Sequence, residues 1–241
     1  MKITSPPDAP RRCGTAAAAL LLACLAACTT SGDSATLARA TPAPVDAQVR
    51  PVAVGQQWVY QVRNLYNHEV IDEITETVVA IAPVIRIQRT SQRSGVLADE
   101  IQSSWGMITQ DAHWKYPITF ARPLPAWPAR LEADRSTTYD DRYRMLASSE
   151  YSEVWDLTIT PREWTRLQVP AGTFTAFRFD NLIDFQNEDL NVVASQRMES
   201  VWFAPAVGRW VLRRTHGIYY VSGRGGEMPE DYLQWELVSW R

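Results

Sequence analysis

Apolar and polar residues alternate with a period of two over most of the chain from Val54 onward. Residues 57–63 show this clearly, with Trp58, Tyr60 and Val62 at every second position, and such alternation is typical of a half-buried β-strand. Residues 140–149 are compatible with a short helix, but no stretch keeps a helical period for longer than two turns. The pattern predicts a mainly β domain of about ten antiparallel strands with few or short helices. The other expected strands are 70–81, 84–88, 100–105, 107–109, 151–160, 164–169, 173–179, 192–203, 210–214 and 232–240.

Prolines and glycines suggest where these strands are interrupted. Residues 116–130 carry four prolines, and proline cannot donate a hydrogen bond to a central strand, so we expect an irregular crossing loop there. Pro161 should end a strand. Residues 170–172, Pro-Ala-Gly, have the turn chemistry of a hairpin and should join the strands on either side.

The N-terminal region has the order of a secretion signal. Arg11 and Arg12 precede an alanine- and leucine-rich run over residues 16–23, and small residues follow it. This order, with a short apolar core, distinguishes a secretion signal from a membrane-spanning helix. The next residues, Leu25-Ala26-Ala27-Cys28, resemble the lipobox of bacterial lipoproteins, in which signal peptidase cuts before the cysteine and acyl chains are attached to it.

That resemblance implies that residues 1–27 are a lipoprotein signal peptide and that Cys28 is the lipidation site. Two alternatives stay open: an ordinary signal peptide that leaves Cys28 unmodified, or cleavage within residues 21–24, Leu-Leu-Ala-Cys. Thr29, rather than Asp, follows Cys28, and in enteric-type bacteria this implies the periplasmic face of the outer membrane.

Beyond Cys28 the chain divides into a linker and a domain. Residues 28–50 are small, polar and proline-bearing, so they predict a flexible tether. Residues 51–241 predict one antiparallel β domain, and this length is enough to bury a core. All three cysteines, Cys13, Cys24 and Cys28, precede the β domain, so we expect the domain to hold together by packing and not by disulfides.

All ten tryptophans follow Cys28, mostly within the predicted strands. One interpretation is that they fill the core, because aromatic side chains favour strands and bury large areas. The other is that they line an apolar cavity or offer a stacking surface to a ligand. The aromatic residues selected as candidate ligand-binding residues are Trp58, Tyr60, Trp105, Trp155, Trp202 and Trp210.

Three segments are similar to those of a broad group of bacterial envelope proteins with β-rich domains. Residues 55–60 fit their Gly-x-x-Trp-x-Tyr strand and residues 169–174 their Val-Pro-Ala-Gly-Thr-Phe hairpin. Residues 201–208 are similar to their Tyr-Trp-Phe-Ala-Pro-Gly-Val-Gly segment, with Ala206 where glycine is usual. The resemblance implies a single curved antiparallel sheet, either open or a half-barrel similar to those of lipoprotein carriers. These residues set turns and pack, so the resemblance says little about function.

Candidate chemistry is sparse. His68, His113 and His216 are not spaced as metal ligands, and the usual serine-hydrolase motifs are absent, so we predict no metal, no cofactor and no enzymatic activity. The formal net charge of −3 comes without a basic cluster, which excludes a nucleic-acid partner.

The leading hypothesis is a membrane-anchored, non-enzymatic envelope lipoprotein that binds a lipid or other apolar ligand on a curved sheet. One alternative is a scaffold lipoprotein that joins an envelope assembly without a ligand site. The other is a carbohydrate-active enzyme, which would need two carboxylates facing a cleft about 5 to 10 Å apart.

Overall fold

A computed structural model describes residues 38–147, 152–187, 192–222 and 226–241, without the side chains of Val193 and Ala194. Cys28 and the predicted signal peptide therefore lie outside the described residues. Within those ranges the chain forms fifteen strands, and none of it is a helix with the length and apolar character needed to span a bilayer. The strands are β1 (Arg39–Ala40), β2 (Gln57–Asn64), β3 (Val70–Ala80), β4 (Ile85–Ser91), β5 (Gly95–Val96), β6 (Glu100–Ser104), β7 (Met107–Asp111), β8 (Ile118–Pro125), β9 (Thr137–Met145), β10 (Glu153–Val169), β11 (Gly172–Phe185), β12 (Val192–Ala204), β13 (Arg209–Val221), β14 (Glu227–Pro229) and β15 (Leu233–Trp240).

Twelve of these strands form a closed antiparallel barrel. Their order around the barrel is β10, β11, β12, β13, β15, β2, β3, β4, β6, β7, β8 and β9, and β9 pairs again with β10. The short strands β1, β5 and β14 pair with β10, β4 and β13 at the margins. The mainly antiparallel β prediction is confirmed.

The prediction of an open sheet or half-barrel is wrong, because β9 supplies the closing contact. Its residues from Thr137 to Tyr143 pair in continuous register with residues from Ile159 to Glu153 of β10. The short helix considered for residues 140–149 is also wrong where the structure describes it, up to residue 147, since residues 140–145 belong to β9. Asp141 and Tyr143 are buried while their neighbours in β9 are more exposed, which is the period of a strand.

The proline-rich segment is partly a strand and not wholly a loop. Residues 118–120 of β8 pair with β9 on one side, but from residue 121 onward the paired backbone partner is β7 alone. Pro123 and Pro125 therefore lie where one edge of β8 has no strand beside it, and proline is tolerated at such edges. Pro161 likewise marks a register shift within β10 and does not end it.

Several predicted elements are confirmed. Strands expected at residues 57–63, 192–203 and 232–240 correspond to β2, β12 and β15 with shifts of one residue at their ends. The predicted hairpin turn joins Val169 to Gly172. Within the range expected to be a tether, β1 pairs with Thr165 and Arg166 in the second half of β10.

Aromatic side chains fill one end of the barrel. Trp58 stacks on Trp105 with ring centroids 6.2 Å apart, and Trp105 meets the edge of Trp127 at 5.5 Å. Trp127 in turn stacks on Phe203 at 4.5 Å. We refer to Trp58, Trp105, Trp127 and Phe203 as the aromatic plug. Such ring pairs add to the stabilisation that burial of their area already provides.

The aromatic plug requires glycine at position 106. Gly106 has a φ of +87°, and a Cβ there would lie 2.4 Å from Cζ2 of Trp127. We expect Gly106→Ala to lower the free energy of unfolding by about 2–4 kcal/mol, because backbone strain adds to overpacking. Urea denaturation measures this loss.

Gly95→Ala is the matched control. Gly95 also has a positive φ, +76°, but a Cβ there would meet no atom within 4 Å. Gly95→Ala should lower the free energy of unfolding by only about 1 kcal/mol, because it introduces backbone strain without overpacking. Equal losses for the two variants would contradict the role of the Trp127 contact.

Candidate functional site

A layer of charged side chains crosses the interior next to the aromatic plug. Arg209 of β13 is bonded to two carboxylates at once: its Nη2 donates to Glu76 Oε2 and to Glu100 Oε2, each at 2.7 Å, and its Nη1 donates to Glu100 Oε1 at 2.9 Å. All three residues are at most 2% exposed. Because Glu76 is in β3 and Glu100 in β6, this one guanidinium joins three strands that are distant in sequence.

His113 belongs to the same layer and lies between two carboxylates, those of Glu76 and Asp111. Its Nε2 is 2.8 Å from Glu76 Oε1, and its Nδ1 is 2.9 Å from Asp111 Oδ1. Both ring nitrogens therefore lie within hydrogen-bonding distance of carboxylate oxygens. Arg89 also donates to Glu76 Oε1, at 3.1 Å, and to the Ala112 carbonyl.

Arg213 and Glu199 complete the layer on the opposite wall. Arg213 Nη2 donates to Glu199 Oε1 at 2.6 Å, and Asn181 Nδ2 donates to Glu199 Oε2 at 3.0 Å. The buried arginines of this set are thus each paired with a carboxylate, as buried charges require. We refer to this set as the charged layer; its ionic members are Glu76, Arg89, Glu100, Asp111, His113, Glu199, Arg209 and Arg213.

The electrostatics keep the charged layer ionised. Burial raises the pKa of Asp111, but the hydrogen bond and charge of His113, with help from Arg213, outweigh it and hold that pKa well below its ordinary value. Burial opposes ionisation of Glu76 and Glu100 in the same way, and Arg209 lowers the pKa of both. The two glutamates in turn raise the pKa of Arg209 against the effect of its burial.

On the other side of the charged layer from the plug, the barrel holds a cavity of about 910 Å³ that is open at the end of the barrel. Arg89, His113 and Arg213 form its floor, which is therefore part of the charged layer. The walls are mostly apolar. Among the aromatic and aliphatic lining residues are Ile74, Leu97, Trp114, Tyr116, Ile118, Tyr143, Met145, Trp155, Phe185, Tyr219, Leu233 and Trp235.

Trp114 links the wall to the floor. Its ring meets the edges of Trp155 and Phe185 at 5.0 and 5.2 Å, and its Nε1 donates to Asp111 Oδ2 at 3.1 Å. The guanidinium of Arg197 lies over the Trp114 ring at 3.4 Å from the centroid and is held there by Glu230 at 2.9 Å. The cavity therefore has a preformed aromatic wall beside a polar base.

A second cavity of about 70 Å³ lies against the charged layer. Asn181, Glu199 and Arg209 line it, whereas Trp155 and Arg213 line both cavities. These two side chains thus form the partition between the large and small spaces.

The structure distributes the six candidate ligand-binding aromatics over several environments. Trp155 lines the large cavity and Trp210 the small one. Tyr60 is fully buried, stacks on Trp210 at 3.8 Å and donates to its carbonyl. Trp58 and Trp105 belong to the plug, while Trp202 lies on the outer face of β12 between Arg178 and Arg214. A ligand-binding role for these residues stays a prediction, as does lipidation of Cys28.

The charged layer was not foreseen from the sequence, although a signal for it exists. In β3, Glu76 occupies the same parity as the buried Ile74 and Val78, and in β4 Arg89 follows Ile85 and Ile87 in the same way. A charged residue in phase with apolar ones predicts a buried, paired charge. Within the described ranges, no group of three or more His, Cys, Asp or Glu side chains is arranged to hold a metal ion.

No family model matches the chain, and no curated protein matches it by sequence. Solved structures do resemble it. A protein of Parabacteroides distasonis, provisionally described as a lipoprotein, superimposes with a TM-score of 0.50 at 11% identity over 79% of this chain and 97% of that one. A Bacteroides fragilis protein, provisionally described as exported and as having a YmcC-like fold, gives 0.50 at 11% identity over 81% of this chain and 100% of that one. The chain shares their fold.

At this identity the likeness concerns the fold alone. The hypothetical lipoprotein YmcC from Escherichia coli has a lower TM-score, 0.40, at 10% identity over 80% of this chain and 90% of its own.

The charged layer should make stability depend on pH. The folded-state pKa values of Glu76, Glu100 and Asp111 lie below the ordinary values near 4 that the unfolded chain restores. Their contribution is therefore fully present above about pH 5 and is lost as the pH falls below about 4. We expect the free energy of unfolding in urea to fall steeply between pH 5 and pH 2, and Asp111→Asn to cost about 2–3 kcal/mol at pH 7 and to flatten that fall.

Asp134→Asn is the control for loss of one carboxylate. Asp134 forms an exposed ion pair with Arg130, so its removal should change the free energy of unfolding by less than about 1 kcal/mol at pH 7. A wild-type stability that stays constant from pH 5 to pH 2 would contradict the prediction.

Proposed function

We propose that this protein is a non-enzymatic lipoprotein of the cell envelope whose barrel binds a lipid or other apolar ligand in the large cavity. In this proposal acyl chains on Cys28 anchor it to the periplasmic face of the outer membrane. The observation that carries the ligand-binding part is the cavity of about 910 Å³, open at one end and walled by aromatic and aliphatic side chains.

Its size and lining support binding of an apolar ligand. Ligand sites are concave, mostly apolar and furnished with a few fixed polar groups, and their volumes run from about 300 to 1,000 Å³. Here Trp114 makes edge-to-face contacts with Trp155 and Phe185, and polar groups lie at the floor. An amphipathic molecule would find apolar contacts along its length and hydrogen bonds at its inner end.

The placement of the carboxylates favours binding over catalysis. Glycosidic cleavage needs one carboxylate as acid and another as base or nucleophile, both facing the substrate. Glu76 and Glu100 are instead held by Arg209 inside the charged layer, and Glu230 at the cavity is bonded to Arg197. Such paired carboxylates lack the freedom to exchange protons with a substrate.

The envelope location rests on two independent supports. One is the lipobox-like segment Leu25–Cys28 after a signal-like run. The other is the fold, since the two structural neighbours are described as a lipoprotein and as an exported protein.

A filled cavity should abolish ligand binding. We expect native mass spectrometry of the full chain, extracted gently from membranes, to show a bound amphiphile, and Ala98→Trp to reduce its occupancy at least about tenfold because the new indole takes up space at the cavity wall. Ala80→Trp is the control, since Ala80 lines neither cavity. A wild-type protein without bound amphiphile, which also takes up none when monoacylglycerol is added, would favour the scaffold alternative.

The anchor is tested separately. Cys28→Ser should move the protein from the membrane fraction to the soluble periplasmic fraction and stop incorporation of labelled palmitate, because each buried acyl methylene contributes about 0.8 kcal/mol to anchoring. Cys24→Ser should have no effect. Loss of labelling in Cys24→Ser, with retention in Cys28→Ser, would assign the lipobox to residues 21–24 instead.

A further inference from the structure

Several apolar side chains at the mouth of the large cavity are well exposed. Val96 and Tyr116 line the cavity and are 76% and 58% exposed, and Leu146, just after β9, is 48% exposed. A single exposed apolar side chain is ordinary, but a group of them at one place marks a surface that binds a protein or a membrane. This margin of the mouth is therefore a candidate binding surface.

Hydrogen bonds bring these side chains together at one side of the mouth. The carbonyl of Arg89 accepts a hydrogen bond from the backbone of residues 92–98, and its guanidinium donates to the backbone of residues 112–118. The backbone of residues 142–147 in turn donates to that of residues 112–118 at 2.7 Å, and the two segments pair where β8 meets β9. The three segments are thus neighbours, and each contributes one of the exposed apolar side chains.

The same three segments carry positive charge without negative charge. They contain no aspartate or glutamate, and their Lys and Arg residues are Arg93, Lys115, Arg142 and Arg144, all of them exposed. Lys115 Nζ lies 5.5 Å from the centroid of the Tyr116 ring, so charge and aromatic surface are presented together. We use the name basic rim for the exposed residues Arg93, Val96, Lys115, Tyr116, Arg144 and Leu146.

A bilayer that contains anionic lipid complements the basic rim. Lys and Arg residues are attracted to such a surface, and each strengthens binding about fivefold. The apolar side chains add to this attraction, since tyrosine rings lie at the level of the lipid headgroups and aliphatic side chains just below them. The acidic lining residues Glu230 and Asp231 belong to another segment, between β14 and β15, so they do not interrupt the basic rim.

The basic rim is continuous with the large cavity. Val96, Lys115 and Tyr116 belong to both, so a bilayer bound at the rim would lie directly at the cavity mouth. An amphiphile would then pass between the bilayer and the apolar walls without crossing water, which is costly for its hydrocarbon part. This continuity favours a lipid surface over a protein partner.

We propose that the basic rim docks the open end of the barrel on a bilayer surface that contains anionic lipid. This contact belongs to the folded domain and is separate from an acyl anchor on Cys28. It goes beyond the proposed function, because it names the surface with which the cavity would exchange its ligand. The contact itself does not require a ligand in the cavity.

Vesicle binding tests the charge of the basic rim. Full-length protein with Cys28→Ser, which cannot be acylated at that position, is sedimented with phosphatidylcholine vesicles that contain or lack phosphatidylglycerol. We expect binding to the anionic vesicles only, and we expect Lys115→Gln with Arg144→Gln to weaken it about twentyfold, since each cation contributes about fivefold. Arg39→Gln with Arg166→Gln is the matched control. It removes the same charge from exposed, paired positions of β1 and β10 that line neither cavity, and should weaken binding less than about twofold because distant charges are screened.

A photo-cross-linking residue locates the contact and distinguishes it from ligand binding. p-Benzoylphenylalanine is placed in the full-length protein at Leu146, which does not line the cavity, or at Val79, a residue of β3 that is 40% exposed and lines neither cavity. In membranes that hold the protein, we expect phospholipid to be cross-linked at position 146 at least about tenfold more than at position 79, because only the rim residue would lie at the bilayer surface.

The outcomes separate this inference from the proposed function. Equal weakening by the rim pair and the control pair, or equal labelling at positions 146 and 79, overturns docking by the basic rim. Cross-linking of position 146 to a protein, without a lipid product, also overturns it and identifies the rim as a protein interface. Rim-dependent vesicle binding by a protein that takes up no amphiphile supports the docking surface, while the proposed ligand binding fails.

Discussion

The guanidinium of Arg209, held between Glu76 and Glu100, is the interaction on which the interior of the barrel depends. It bonds β13 to β3 and β6 across the inside of the sheet, where hydrogen bonds of the backbone cannot reach. Taking one partner from a buried ion pair leaves an uncompensated charge, and this typically costs about 3–5 kcal/mol. The three strands are thus fixed in one relative register, and the contacts of Arg89 and His113 with Glu76 depend on that register.

The charged layer also gives the two ends of the interior their different characters. On one side the rings of the aromatic plug pack against one another, with Trp127 stacked directly on Phe203. On the other side the same layer provides a polar floor under apolar walls. Because the pKa values of Glu76 and Asp111 are lowered, these two carboxylates beneath the floor keep their charge above about pH 5. An interior that changes from apolar to polar along its axis is suited to a molecule with the same gradient.

The sequence predicts the local structure better than the assembly of the barrel. Alternation identified β2 almost to the residue, because one face of this strand is buried. Closure of the barrel could not be predicted from the sequence. It depends on the pairing of β9 with the first half of β10, and the alternation within either strand does not indicate its partner. Only part of the candidate site could be predicted from the sequence. Trp155 was selected because it is aromatic. Glu76 and Arg89 could have been predicted as buried charges only by noting that they occupy the same alternating positions as the buried apolar residues of their strands.

Within the described residues, the large cavity opens at the end of the barrel opposite the aromatic plug. If this cavity binds a ligand as proposed, the ligand enters and leaves past Tyr116 and Tyr219, which line the cavity. The dissociation rate would then depend on the contacts that the inner end of the ligand makes.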